Sequence, residues 1–260
     1  MILAIDMGNT NIVIGGIDDQ RTYFLERITT NRFKTDLEYA INVKNILEIY
    51  GVSTADIEGA IISSVVPPLN ATLISAVEKI CGKTPMLVGS GMKTGINIIM
   101  DNPKSVGADR IVNAVAAVQE HKPPLIIIDM GTATTLCAID QNGAYVGGAI
   151  LPGLRVSLDA LSAKTAQLPA ISLDIPHHVI GKNTIDSMRS GIMYGNAAML
   201  DGLIDRLEDE LGVQLFARFK RGVMLTDNGK RLTPYIRELV NRKYMLRQAA
   251  FDINHKVEGK

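Results

Sequence analysis

Leu125-Ile126-Ile127-Ile128-Asp129-Met130-Gly131-Thr132 repeats the pattern of the opening residues, Ile2-Leu3-Ala4-Ile5-Asp6-Met7-Gly8-Asn9. Each copy is an apolar run of buried-strand length closed by Asp, Met, Gly and a small polar residue. A second apolar segment follows each copy, Ile12 to Ile17 and Thr135 to Ile139, so both copies read as strand, polar turn, strand. The two aspartates stand 123 residues apart, the span of one lobe. A duplicated fold with a cleft between the copies is the expectation. Between the copies, Asp36 to Tyr50 carries Leu37, Ala40, Ile41, Val43, Ile46, Leu47 and Ile49 at helical spacing and is stopped by Gly51. Gly59 to Val66 then reads as a strand and Pro67-Pro68 as a break. Alternation of the two periods predicts an α/β fold.

The bulk properties agree with two lobes. The chain has 260 residues, room for two domains of about 130 residues each. An apolar fraction of 47%, a charged fraction of 21% and 27 basic against 27 acidic residues exclude disordered, collagenous and coiled-coil classes. Two cysteines, Cys81 and Cys137, with no CxxC pair, argue against a disulfide scaffold or a cysteine-based zinc site. Only Met1 to Ile5 precede Asp6, too little for a signal-peptide core, and no run approaches the length of a membrane span, so a cytoplasmic protein is expected. The zero net charge is uneven. Residues 1–205 hold 15 basic against 20 acidic side chains, whereas residues 206–260 hold 12 against 7.

Several stretches carry chemistry. An aspartate ending a buried strand, followed by glycine and Asn or Thr, suits phosphate: Gly8 and Gly131 permit close backbone approach, and the turn offers N–H, amide and hydroxyl donors. Asp6 and Asp129 are then placed to hold cations that offset phosphate charge. A plain Asp-Gly turn is the alternative. Asp101 to Arg110 leads into an Ala-rich helix with Asp109 in its first turn, where the helix dipole favours a carboxylate. Asp109 reads either as a cap paired with Arg110 or as the base that accepts a hydroxyl proton during phosphoryl transfer. Gly147 to Leu154 reads as a tight strand-to-helix connection, and Asn183-Thr184 as capping residues of a helix whose apolar stripe is Ile192, Met193, Ala197, Met199, Leu200, Leu203 and Ile204.

These stretches, DMGNTNI at 6–12, DNPKSVGADRIVNAVAA at 101–117, IDMGTATT at 128–135, GGAILPGL at 147–154 and GKNTIDSMRSG at 181–191, resemble the type III pantothenate kinases. These belong to the acetate and sugar kinase, Hsc70 and actin superfamily. The resemblance runs from Met1 to about Arg206. It implies two ribonuclease-H-like lobes, 1–118 and 119–206, usually in a homodimer, that phosphorylate pantothenate with ATP in the first step towards coenzyme A. It also implies a divalent metal, magnesium, with the nucleotide and a monovalent cation, potassium or ammonium. By motif, Asp6, Met7, Gly8, Asn9, Thr10, Asn11, Ile12 and Val13 form a nucleotide-phosphate loop, and Thr132 touches ATP. Asp109 is the proton acceptor, and Asp129 binds the monovalent cation. Gly107, Ala108, Asp109, Arg110 and Thr184 contact pantothenate, with Met100 where the family often carries an aromatic residue.

Residues 207–260 depart from that pattern. The resemblance implies a strand leading to a Thr-Gly-Gly turn, yet no Gly-Gly pair follows Gly148. Leu207 to Arg218 and Leu225 to Lys230 instead resemble the later part of the winged helix of LysR-type regulators. By that resemblance Arg218-Phe219-Lys220-Arg221-Gly222 is a basic wing, and a linker helix runs from about Asp227 to Ala250. A wing without its supporting helices has no core of its own, which argues against sequence-specific DNA binding. The competing readings are a non-catalytic regulator with a basic nucleic-acid-contacting tail, and an inactive kinase-like protein with an incomplete second lobe.

Overall fold

The computed structural model describes residues 1–89, 91–212, 216–219 and 222–225. Residues Met1–Asp201 form one compact unit and Gly202–Lys260 a second. The first unit opens with a meander of three strands, β1 (Ile2–Met7), β2 (Asn11–Ile17) and β3 (Thr22–Thr29), followed by α1 (Asp36–Ile49), β4 (Gly59–Ser64), α2 (Asn70–Cys81) and β5 (Met86–Leu87). The sheet order is β3-β2-β1-β4-β5, with β1 antiparallel to β2 and parallel to β4, a ribonuclease-H-like arrangement. Alternation sorts the strand residues. Leu3, Ile5 and Met7 of β1 and Ile12 and Ile14 of β2 are buried against Tyr39, Val43 and Leu47 of α1 and Leu73, Ala76 and Val77 of α2. Ala4 and Asp6 therefore fall on the opposite face.

Local signals set the element ends. Thr35 caps α1 in a reciprocal box with Glu38, so two otherwise orphan N–H groups are satisfied. Gly82, at φ +63°, closes α2 in the left-handed conformation. The strand expected to reach Val66 ends at Ser64, because Pro67 starts a short 3-10 turn.

Helix α3 (Ala108–Glu120) leads to the second meander, β6 (Leu125–Met130), β7 (Ala133–Ile139) and β8 (Tyr145–Pro152), then α4 (Leu154–Lys164) and α5 (Thr184–Leu211). The duplication holds for the strand order, but the second hairpin pairs one residue tighter than the first. Asp6 on β1 faces Val13 on β2, and Asp129 on β6 faces Thr135 on β7. A second core joins Ile111 and Ala114 of α3 to Cys137, Ile139 and Tyr145, and a third joins Leu158 of α4 to Met188 and Ile192 of α5. The copies also differ. In the first sheet β4 pairs with the outer side of β1, whereas β6 is an edge strand among the described residues, with Ile128 and Met130 exposed.

Two expectations shift. Gly147 and Gly148 lie inside β8 rather than in a connection, and only Pro152-Gly153 turns the chain into α4. Gly148 is fixed by a close approach, since a Cβ there would sit 1.8 Å from the Leu136 carbonyl oxygen. On α5 the buried face carries Met188, Ile192, Asn196 and Ile204, whereas Ala197 and Met199 face outward.

In the second unit, α5 continues to Leu211, and β9 (Phe216–Phe219) pairs antiparallel with β10 (Gly222–Leu225). The two strands flank the stretch read as a wing. Its Lys220 and Arg221, and the linker helix expected over 227–250, lie outside the described residues. No helix among the described residues is long and apolar enough to cross a membrane.

A Gly148→Ala substitution is expected to destabilise the fold by about 3 kcal/mol or more through backbone displacement. Gly191→Ala on α5, where a Cβ meets open space, should be neutral or stabilising by up to about 1 kcal/mol. Urea denaturation of both variants checks the contrast.

Candidate active site

The two strand-turn-strand copies place their turns side by side. In the first, the Gly8 amide donates to the Asn11 carbonyl at 2.9 Å, and the Thr30 hydroxyl donates to the Gly8 carbonyl at 2.7 Å. In the second, the Gly131 amide donates to the Ala133 carbonyl at 3.0 Å, and the Gly153 amide donates to Thr132 O at 3.0 Å. The turns meet through the Thr10 and Thr132 hydroxyls, 2.9 Å apart. Around this junction lies a cleft of about 320 Å³ lined by Asp6, Gly8, Asn9, Thr10, Asn11, Val13, Asp109, Asp129, Gly131 and Thr132, among others.

Asp109 enters the cleft from the first turn of α3, its Oδ1 accepting the Arg110 backbone amide at 2.8 Å. Gly107, the residue before the helix, is needed for this placement, because a Cβ there would lie 2.4 Å from Asp109 Oδ1. Asp129 accepts a hydrogen bond from the Asn113 side-chain amide at 3.0 Å. Asn113 lies one helical turn beyond Asp109, so a single face of α3 carries both Asp109 and the amide that reaches Asp129 beside the second glycine turn.

The electrostatics follow from the crowding. Burial pushes the Asp6 carboxyl above the usual carboxylate range, and the charges of Asp109 and Asp129 push it further in the same direction. The Ser63 hydroxyl opposite pulls it back in part, although it lacks full hydrogen-bond geometry. On the same face of the first sheet, Asp6 also lines an apolar hollow of about 360 Å³ with Ala4, Val13, Gly15, Ile61, Val88 and Val112. No cluster of three or more His, Cys, Asp or Glu with metal-holding geometry occurs among the described residues. The aspartates nevertheless fit a cation, since each raises the cost of ionising Asp6 and a positive charge between them would lower it.

The structure brings together most of the residues singled out by sequence. Met7 and Ile12 are the exceptions within the first turn, since both side chains are fully buried in the first core and only their backbone can serve a ligand. Met100 packs against the second core, with its Sδ facing Gly147, and does not line the aspartate cleft. Arg110 lies near buried Tyr145, whose hydroxyl donates to Cys137 Sγ at 3.4 Å. Burial chiefly pushes the Tyr145 phenol up to about 12, and the Arg110 charge offsets part of that rise. Thr184, at the start of α5, lines a separate hollow with Gly181, Lys182, Asn183 and Met188. Asn183 caps α5, its Oδ1 accepting the Asp186 amide at 2.8 Å. Sequence reasoning missed Arg27, a cleft residue on β3 in register with Val13, and Asn113. Only the i, i+4 spacing from Asp109 pointed to Asn113.

The raised Asp6 fixes a pH dependence. A carboxyl whose folded-state pKa exceeds its unfolded value costs stability once the unfolded chain ionises, and the cost is complete above the folded pKa. Asp6→Asn is therefore expected to melt higher than the wild type at pH 7. The gap should close as pH falls below the ordinary value of 3.8. Melting curves across that range check the sign.

The profile of the type III pantothenate kinase family matches residues 2–206. A type III pantothenate kinase of Halalkalibacterium halodurans is 48% identical over 208 residues, covering 80% of this chain and 82% of that protein. The type III pantothenate kinase of an Exiguobacterium species is 48% identical over 212 residues, covering 82% and 84%. One from a Geobacillus species is 46% identical over 217 residues, covering 82% and 83%. Among solved structures, an ethanolamine utilization protein of Carboxydothermus hydrogenoformans is similar at a TM-score of 0.39 and 18% identity, over 78% of this chain and 71% of that one, too distant to add to this. With its paired glycine turns, its α3 aspartate and a match that spans both meanders, the chain belongs to the type III pantothenate kinase family.

Proposed function

We propose that the chain transfers the γ-phosphoryl group of ATP to the primary hydroxyl of pantothenate, giving 4'-phosphopantothenate and ADP in the first step of coenzyme A biosynthesis. The observation that carries this reading is the convergence of Asp6, Asp109 and Asp129 with two glycine turns in one cleft of a chain that belongs to this family. The pantothenate oxygen bonds to the γ-phosphorus as the bond from that phosphorus to the β-bridging oxygen breaks, and the hydroxyl proton passes to the Asp109 carboxylate. Catalysis of this kind rests on alignment and charge more than on base strength.

The residues divide the work by position. The turn from Asp6 to Val13 and the Thr132 hydroxyl receive the ATP phosphates, with Met7 and Ile12 contributing backbone only. Arg27 adds positive charge to the cleft wall. Magnesium, held at Asp6 together with the nucleotide, supplies charge neutralisation for the phosphates. Asp129 holds potassium or ammonium. Gly107, Ala108 and Arg110 receive pantothenate at the start of α3, with Met100 behind them. Thr184 lines a hollow apart from the aspartate cleft, so in this reading it reaches pantothenate from the second subunit of a homodimer. The lobes are 1–118 and 119–206, followed by the basic segment 207–260, which has no nucleic-acid partner. The enzyme works in the cytoplasm, where ATP is available.

A coupled assay of ADP release with ATP, magnesium and pantothenate tests the proposal. Turnover is expected in potassium, to be lower in sodium, and to fall by at least about a hundredfold in Asp109→Asn. Gly107→Ala, which pushes the Asp109 carboxylate off its position, should lower kcat while leaving the melting temperature close to that of the wild type. A folded chain with no turnover would sink the reading.

A further inference from the structure

The duplicated aspartates share a feature that the phosphate turns do not require. Each has a neutral polar side chain beside it, and among the described residues neither forms an ion pair with a lysine or arginine. Asp6 faces the Ser63 hydroxyl of β4, which occupies the outer side of β1. Asp129 sits on β6, an edge strand among the described residues, and there α3 supplies the neighbour. Asn113 Nδ2 donates to Asp129 Oδ2 at 3.0 Å, and this is the side-chain hydrogen bond that Asp129 makes among the described residues. The donor is half-buried and is fixed by the helix that carries Asp109.

We propose that Asn113 is a positioning residue that orients the Asp129 carboxylate for a monovalent cation while leaving its negative charge intact. The choice of group follows from charge. A carboxylate on an edge strand beside a wide cleft has rotational freedom, and one directed hydrogen bond removes it. A lysine or arginine in the same place would hold the carboxylate more strongly but would occupy the charge that attracts the cation. An amide fixes one oxygen and leaves the other for the ion. Because Asn113 and Asp109 lie four residues apart on one helix face, the same rigid element sets the distance between proton acceptor and cation. The inference rests on the reading of Asp129 as the cation-holding carboxylate.

The test uses the full chain, Asn113→Ala and Asn113→Lys. Melting temperature is followed against potassium chloride, with tetramethylammonium chloride holding ionic strength constant, and ADP release is followed in the same series. The wild type should gain stability specifically with potassium. Asn113→Ala should need about tenfold more potassium for half the effect in both readouts, with KM for pantothenate unchanged. Asn113→Lys should fold, melt no lower than the wild type without potassium, and show no potassium response. Wild-type potassium dependence in Asn113→Ala would overturn the proposal, as would a wild type without potassium-specific stabilisation. If ADP release is absent but an Asn113-dependent potassium effect on melting persists, the kinase reading fails and this inference stands.

Discussion

Three carboxylates held within electrostatic reach of one another are the constraint around which this chain is arranged. Asp6, Asp109 and Asp129 come from a strand of the first sheet, a helix start and a strand of the second sheet, and burial of Asp6 beside the other two charges opposes folding. The Ser63 hydroxyl offsets only part of it. The opposition is met by burial elsewhere: a first core that closes over Leu3, Ile5 and Met7, and a second that anchors α3 through Ile111 and Ala114. The cleft is thus a place where stability is given up and where positive charge would return it, the usual trade at a site built for charge.

Helix α3 is the mechanical link in this arrangement. One flank packs on Cys137, Ile139 and Tyr145, while Asp109 and Asn113 reach the cleft. The two lobes share this helix, so the spacing between Asp6 and Asp129 is set by packing as well as by the Thr10–Thr132 contact. The lobes are unequal partners. The first sheet has β4 laid parallel on β1, whereas β6 keeps an open edge among the described residues and exposes Ile128 and Met130.

Much of this was readable from residues, for identifiable reasons. The Asp6 and Asp129 copies announced themselves because a buried strand, a glycine turn and a second strand make a local pattern, and the structure forms an antiparallel hairpin from each. The start of α3 was equally local, set by Gly107 and the Ala-rich run after it. Two of the misreadings involve distant neighbours, and that of Met7 and Ile12 is one of strand alternation. Gly147 and Gly148 look like turn residues, yet they lie in β8, where the backbone of Leu136 leaves no room for a side chain. Arg27 reaches the cleft only through the β2–β3 register. Met7 and Ile12 belong to the phosphate-turn motif, but strand alternation sends both side chains into the core.

Helix α5 runs unbroken from Thr184 to Leu211, while the family match stops at residue 206, within it. Backbone bonding in a helix closes within four residues, so a change of sequence ancestry inside one leaves no carbonyl or amide waiting for a lost partner. The same splice in a strand would orphan a whole row of them in the adjoining chain. A helix thus tolerates a change of sequence within it as long as the residues that follow also take helical conformation and donate to its last carbonyls.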